Sequence, residues 1–345
     1  MFGKGGCVMS KILGVDLGTA NTFIYMKGKG IILRTPSVVA IDKDTRDVVA
    51  VGRAARRMLG KTPEGILAYR PLKNGVIADF DVTAKMLRTF FEMTDAISFF
   101  SRPVVIVCIP YGVTEVEKRA VEDVIFEAGA RSVALIEEPL AAAIGTGLKV
   151  GGPRGSMIVD IGGGTTEVAV MSLGGIVASH SVRTAGDALD DAIVNYMRSE
   201  KDIIIGDITA EHLKTRIGSA HPSADKKDRY EEVFGRGLRS GRAASALITS
   251  ADTREAMHDE LEEIVRAIKT TLEDTPPELS SDIYDNGITL TGGGAHLSGI
   301  GTLIRSKTGI RVNLAHNPFE SVCAGIGRVI ESEKMMGDLL KYRGK

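Results

Sequence analysis

The sequence predicts an α/β protein of two related halves, each built on a largely parallel sheet entered through an antiparallel hairpin. Three observations carry that expectation. A strand–glycine turn–strand pattern occurs twice, strands and helices alternate in the same order after each copy, and 345 residues suffice for two sizeable cores. Met157–Val170 reads MIVDIGGGTTEVAV. An apolar run ends on Asp160, three glycines follow (Gly162, Gly163, Gly164), then Thr165, Thr166 and a second β-prone run. Leu13–Met26 reads LGVDLGTANTFIYM and repeats the design with Asp16, Gly18, Thr19, Asn21 and Thr22. Asp16 and Asp160, Gly18 and Gly162, and Thr22 and Thr166 are each 144 residues apart (16 to 160 for the aspartates). A repeat this long reads as a domain duplication rather than a solenoid.

Composition narrows the class. Apolar residues make up 43% and charged residues 25%, the profile of an ordinary globular protein. Glycine is raised, at 40 residues, and much of the excess sits in turns. A net charge of −1 offers no broad basic field, so nucleic acid is not an expected partner. Cys7, Cys108 and Cys323 have no metal-ligand spacing, and Cys108 within the apolar run Val104–Ile109 reads as a buried thiol in a reducing compartment. No apolar run approaches a membrane span and no signal-peptide core is visible, so a cytosolic protein is expected.

Taken in order, Met1–Lys11 is glycine-rich and reads as a disordered tail. After the first hairpin, residues 31–77 read as a small insertion with strands at Ser37–Ile41 and Val48–Val51 and a helical piece near Ala54–Leu59. Thr83–Thr94 is an amphipathic helix burying Met86, Leu87, Phe90 and Phe91. Arg102–Pro110 is a buried strand, Glu115–Ala128 a helix closed by Gly129, Ser132–Ile136 a strand, and Pro139 opens a helix through Ile144. The second half repeats this order: a hairpin over 157–181, then helices near Ala188–Arg198 and Ala210–Ile217. His221–Ser245 reads as polar, irregular surface chain. A long helix covers Thr253–Asp274, a strand Ile288–Thr291, and a further helix starts near Leu297.

Glycine turns at strand ends suit phosphate, because backbone N–H groups can converge on an anion with no side chain in the way. A carboxylate at the strand end can hold Mg²⁺ or its waters beside that phosphate. The third glycine turn, TGGGA at Thr291–Ala295, is read as leading into a helix, and would let an adenine or ribose lie against the chain. One such turn is most simply structural; three on one scaffold, two with matched aspartates, favour a ligand. Ile136–Pro139 reads IEEP. One of Glu137 and Glu138 suits a helix N-terminus, while the other suits a strand's C-terminal end, where it could orient water for attack on a γ-phosphate. The residues alone leave both assignments open. Asp187 in AGDALDD is read as a helix cap, with Asp187 or Asp190 as a hydrogen-bond partner for a ribose hydroxyl. Paired phenylalanines in AISFF (Ala96–Phe100) are usually core plugs, and if exposed they suit a bilayer interface or a partner.

With these pieces assembled, the chain resembles the actin and sugar-kinase superfamily of ATPases and, within it, the MreB family of bacterial actin homologues. The resemblance runs from about Lys11 to Glu333 and rests on LGVDLGTANT, TPSVVAI, LGKTPEGI, RPLKNGVIADFDVT, VEKRAVEDVIFEAGAR, LIEEPLAAAIG, VDIGGGTTEVAV, TPPELSSDI and LTGGGA. It implies an actin-like fold of two lobes, each with a larger and a smaller subdomain, and Mg·ATP in the cleft. Lobe I would span 1–150, with its small subdomain at about 31–78 and a C-terminal return at 318–345. Lobe II would span 151–317, with its small subdomain at about 185–249.

The resemblance also assigns roles. It implies a first phosphate loop of Asp16, Gly18, Thr19, Ala20 and Asn21 and a second of Asp160 and Gly162–Thr165. Asp16 and Asp160 would be the Mg²⁺-side carboxylates, acting through water. Glu138 and Thr165 would position the attacking water, and Gly186, Asp187, Asp190, Lys214 and Gly292, Gly293, Gly294 and Ala295 would form the nucleoside side. The loop holding Ile97, Phe99 and Phe100 falls where the family inserts into lipid. Paired antiparallel filaments on the inner membrane, guiding cell-wall synthesis and rod shape, are the implied role. Ala185, Arg216 and Gly237 depart from the residues expected there, and 221–248 matches poorly. A metabolite kinase or other non-polymerising ATPase of the superfamily is the alternative, but no stretch suggests a sugar pocket.

Overall fold

The computed structural model describes residues 11–97, 101–224 and 229–341. The chain divides into two compact units. Unit 1 takes in the chain up to Ile109, Val113–Glu137 and everything from Val322; unit 2 takes in Pro110–Gly112 and Glu138–Ser321. No helix among the described residues is long and apolar enough to cross a membrane.

Unit 1 is organised on a five-stranded sheet in the spatial order Ser132–Glu137, Val104–Ile109, Ile12–Leu17, Asn21–Met26, Gly30–Pro36. The first three are parallel and the last three form an antiparallel meander. Parallel strands covered on both faces must be apolar throughout, and Leu13, Val15, Val105 and Val107 are fully buried. The helix Phe80–Met93 packs Met86, Leu87, Phe90 and Phe91 into this core, each burial being favourable by roughly 1.5–3 kcal/mol. It starts three residues before the expected Thr83 because the Asp79 carboxylate caps it, accepting from the Val82 N–H (3.2 Å). The helix Glu115–Glu127 opens on a capping box between Thr114 and Glu117. It closes at Gly129, whose φ of 112° only glycine adopts readily. The insertion folds as a three-stranded sheet (Val48–Val51, Val39–Asp42, Ile66–Tyr69) with the short helix Gly52–Arg56. A two-stranded ribbon, Leu72–Lys73 with Val76–Ile77, turns through Asn74 and Gly75, both at positive φ.

Unit 2 repeats the architecture. Its sheet runs Gly175–Val182, Thr166–Ser172, Ser156–Ile161, Ile288–Thr291, Val312–Leu314, again a meander on one side and parallel strands on the other. The lead strand of each unit, Ile12–Leu17 or Ser156–Ile161, sits in the middle with its hairpin partner on one flank. The duplication read from two motifs thus extends to whole sheets.

Four expectations need correction. The first is the stretch 221–245, which holds an ordered hairpin, Tyr230–Gly237 with Ala243–Thr249, joined to Ile203–Ile204. Only one face of it is covered: Val233 and Ile248 point inward while Tyr230 and Phe234 stand in solvent, so its alternation is diluted by glycine and charge. Gly237, where an acid was expected, lies at the turn; a Cβ there would sit 2.5 Å from Ser240 Oγ. Second, the helix expected over Thr253–Asp274 is two, Ser250–Ala256 and His258–Glu273. They break at Met257, where the backbone leaves helical geometry (φ −91°, ψ 6°) and the side chain is fully buried. Third, TGGGA leads into a 3₁₀ turn, Gly293–His296, and the α-helix begins only at Ile300.

The fourth correction concerns the boundaries at 150 and 318. The helix Glu138–Thr146 packs on Ser156–Ile161 and Thr166–Ser172 and so belongs to unit 2. Pro318–Ser321 stays there too, because Thr291 Oγ1 donates to Pro318 O (3.1 Å) and lies 2.6 Å from Ser321 Oγ.

The returning helix Ser321–Glu331 closes unit 1 by close approach. A Cβ on Gly14 would lie 2.5 Å from Ile326 Cγ2, and one on Gly327 would lie 2.5 Å from the Tyr25 ring. Gly14→Val and Gly327→Val should each cost about 1–3 kcal/mol through overpacking. Calorimetric melting should show both as a lowered Tm; an unchanged Tm would mean the helix can lift without penalty.

Candidate functional site

The turn of each hairpin is built the same way. In unit 1 the Gly18 N–H donates to Asn21 O (3.1 Å), and in unit 2 the Gly162 N–H donates to Thr165 O (2.9 Å). A Cβ would lie 2.8 Å from Asn21 O at Gly18 and 3.0 Å from Thr165 O at Gly162. Glycine is therefore needed for the turn itself. Behind each turn a buried hydroxyl anchors the returning strand. Thr22 Oγ1 lies 2.8 Å from Ser37 Oγ, and Thr166 Oγ1 donates to Thr184 O (2.7 Å).

Unit 1's loop is fastened from the insertion. The Ser37 N–H donates to Ala20 O (3.0 Å), Ser37 Oγ donates to Gly18 O (2.7 Å), and the Gly75 N–H donates to Thr19 Oγ1 (3.0 Å). Thr19 thus keeps its own O–H for a ligand. Neither Ser37 nor Gly75 was a candidate from sequence, since a supporting contact between distant segments leaves no local pattern. Asp16 stands one residue before the turn glycine's neighbour and is 8% exposed. Burial pushes its carboxyl up to about 7, against the lowering effect of a hydrogen bond from Cys108 Sγ to Oδ1 (3.5 Å).

Unit 2 gathers its own set of candidate residues around the end of its lead strand. Asp160 is 3% exposed and in register with Thr291. Gly292, at φ 82°, lies so close that a Cβ would collide with Asp160 Oδ1 and Ile161 O, and one on Gly294 would collide with the Ile161 side chain. These two glycines hold the third turn against the end of the lead strand, and Ala295 beside them is buried. The second loop docks on the helix Gly186–Ser199: the Gly186 N–H donates to Gly162 O (3.2 Å) and the Asp187 N–H to Gly163 O (2.8 Å). Ala185 is the N-cap and makes no side-chain cap, so Asp187 lies in the first turn and is not the capping residue. Lys214, from the helix Asp207–Arg216, donates to Gly186 O (2.5 Å) and pairs with Asp190 Oδ2 (2.8 Å). Burial pushes the Asp190 carboxyl up to about 6, with Lys214 opposing the rise. Asp190 Oδ1 is buried with no protein partner among the described residues. An orphaned buried acceptor of this kind fits a sugar hydroxyl.

A further buried carboxylate went unread in the sequence. Glu167 pairs directly across from Asp160, so the two side chains share a face of the sheet. It is 1% exposed, its Oε1 accepts from Ser181 Oγ (2.6 Å), and burial pushes it up to about 7. Its signal was a lone Glu inside an otherwise apolar strand. In IEEP, Glu137 ends its strand in register with Ile109. Burial raises its pKa and the Lys118 ammonium opposes that rise. Glu138 is the first residue of the next helix, with Pro139 behind it. Ile97 is half-buried against the core of unit 1; Phe99 and Phe100 lie outside the described residues.

Among the described residues no three His, Cys, Asp or Glu side chains are grouped to hold a metal. Single buried carboxylates such as Asp16 and Asp160 instead fit Mg²⁺ bound chiefly through water and phosphate oxygens.

The MreB/Mbl protein family matches residues 10–338. The cell shape-determining protein MreB of Escherichia coli (strain K12) is 50% identical over 335 residues, covering 96% of each chain. The cell shape-determining protein Mbl of Bacillus subtilis (strain 168) is 44% identical over 327 residues, 94% of this chain and 97% of that one. Among solved structures, MreB 5 of Spiroplasma citri bound to AMPPNP matches with a TM-score of 0.90 at 36% identity, covering 97% of this chain and 99% of that one.

Lys214→Met would leave Asp190 buried without its cation, at a cost of about 3 kcal/mol near neutral pH. Asp190's raised pKa means the folded state holds its proton to higher pH than the unfolded state does. Stability from this group therefore falls as pH rises from about 4 to about 6 and is level above. Removing Lys214 pushes that window upward, so the Tm deficit should be larger at pH 8 than at pH 5. A deficit independent of pH would place the role of Lys214 elsewhere.

Proposed function

The chain belongs to the MreB/Mbl protein family, and from that premise we propose that it is an actin-like cytoskeletal ATPase that polymerises with ATP. The reading rests on the twice-built turn, Gly18 to Asn21 and Gly162 to Thr165, each beside a buried aspartate. In this reading Thr19, Ala20 and Asn21, and Gly163, Gly164 and Thr165, offer donors to phosphate oxygens, Gly18 and Gly162 shape the two turns through their own N–H bonds, and Asp16 is an acceptor on the cation side. Asp190 and Lys214, with Gly186, Asp187 and the turn Gly292–Ala295, take the nucleoside. The MreB 5 relative bound to AMPPNP supports a nucleoside triphosphate as the ligand. Magnesium, when bound beside Asp16 and Asp160, neutralises charge on the phosphates.

Glu138 and Thr165 orient the attacking water, and turnover is slow in the monomer and faster in the polymer. The filaments are paired and lie on the inner face of the cell membrane, held by the segment around Ile97, Phe99 and Phe100. There they guide the cell-wall elongation machinery and so cell shape; the Escherichia coli and Bacillus subtilis relatives are cell shape-determining proteins.

The test is negative-stain microscopy with Mg·ATP, with and without anionic liposomes. Paired filaments flat on lipid are expected, and monodisperse particles under every condition would overturn the reading. Glu138→Ala should still assemble but release phosphate at least about tenfold more slowly, as expected when a positioned group acting on the attacking water is lost. Unchanged turnover would remove Glu138 from the chemistry.

A further inference from the structure

The two lead strands end on matched aspartates, yet their surroundings differ. In unit 2 the residue level with Asp160 on the neighbouring parallel strand is Thr291. Its hydroxyl donates to Pro318 O and lies 2.6 Å from Ser321 Oγ. In unit 1 the parallel ladder runs Ile12 with Val104 through Val15 with Val107, which places Cys108 level with Asp16. Here the side chain turns toward the carboxylate: Cys108 Sγ lies 3.5 Å from Asp16 Oδ1, a normal separation for an S–H donor. Both side chains are more than nine-tenths buried. Among the described residues this is the one side-chain hydrogen bond that reaches Asp16.

We propose that Cys108 is a positioning residue for divalent-cation binding: its thiol donates to Asp16 Oδ1, fixes the carboxylate rotamer, and leaves Oδ2 to accept from a cation-bound water. The proposal rests on the nucleotide reading above and adds a residue to it. The physical basis is geometric. A carboxylate at a strand end can rotate about its side-chain torsions, and a single donor on one oxygen selects the rotamer in which the other oxygen faces the ligand. A thiol serves here because a buried cysteine also packs as a small hydrophobe within Val104–Ile109, where a larger polar group would need further partners. Cys108 touches the carboxylate and not the cation, so its effect should fall on cation affinity.

The test compares the unsubstituted protein with Cys108→Val, which keeps bulk and removes the donor, and Cys108→Ser, which keeps a donor. Fluorescent-ATP binding is titrated with Mg²⁺, and again in excess EDTA, with Tm measured alongside. Cys108→Val should raise the half-saturating Mg²⁺ concentration about tenfold, the loss of one hydrogen bond to a charged group. Binding in EDTA should be unchanged, and Cys108→Ser should return the midpoint to within about threefold of the parent. A purely structural role would lower Tm and binding alike in both media, and that pattern, or an unmoved Mg²⁺ midpoint, would overturn the proposal. If Cys108→Val fails to fold, the S–H infrared band of the unsubstituted protein decides: a band shifted from the free-thiol position, and moved by Asp16→Asn, is expected. An unshifted band would overturn the proposal. Absence of any Mg²⁺-dependent nucleotide binding in the unsubstituted protein would overturn the nucleotide reading itself, and this inference with it.

Discussion

A carboxylate buried at the end of a strand is expensive, and much of the rest of this structure is arranged around two of them. Asp16 and Asp160 are nearly inaccessible, and desolvation of a charge costs several kcal/mol unless something compensates it. Each follows an apolar lead strand that could not move outward without exposing Leu13 and Val15, or Ile158 and Val159. The core therefore forces the acid to its depth. The turn after it brings backbone N–H groups to the same level, which is an environment suited to an anion bridged by a cation rather than to a bare acid.

The supports differ in kind between the units. In unit 1 the loop is held by neutral donors: Ser37 and Gly75 from the insertion, and the Cys108 thiol from the adjacent strand. In unit 2 the loop is seated on a helix N-terminus, and the charge beside it is managed by Lys214 with Asp190. Thr166 leads into a relay: its hydroxyl donates to Thr184 O, and Thr184 Oγ1 donates to Glu263 Oε2. The two sheets thus share one strand order, while the contacts that stiffen the loop differ between them.

Where sequence reading fell short, the cause was packing or context. The hairpin Tyr230–Thr249 buries only one face of a small sheet, so its pattern of two is too sparse to separate from a loop. Met257 keeps the helical spacing of its neighbours, and only the backbone reveals the break. Asp187 looked like a cap because its residue type and place suit one. Yet the loop carbonyls of Gly162 and Gly163 accept from the helix N-terminus instead, and no local pattern announces such a partner. Ser37 and Glu167 are of the same kind, significant only through what faces them.

By itself the sequence determined the two lead strands, their matched acids and glycine turns, the core helices read at Thr83–Thr94 and Glu115–Ala128, and through these the fold class and family. Those features are local: periodicity, turn chemistry and a motif copied at a fixed distance. The tertiary structure decided which chain segments share a unit, from the transfer of Glu138–Thr146 to unit 2 to the return of Val322 and beyond to unit 1. It also decided which side chains meet two of the buried carboxylates: Cys108 for Asp16, and Lys214 for Asp190. Those partners lie tens of residues away in sequence, and only strand register and helix packing bring them within hydrogen-bond reach.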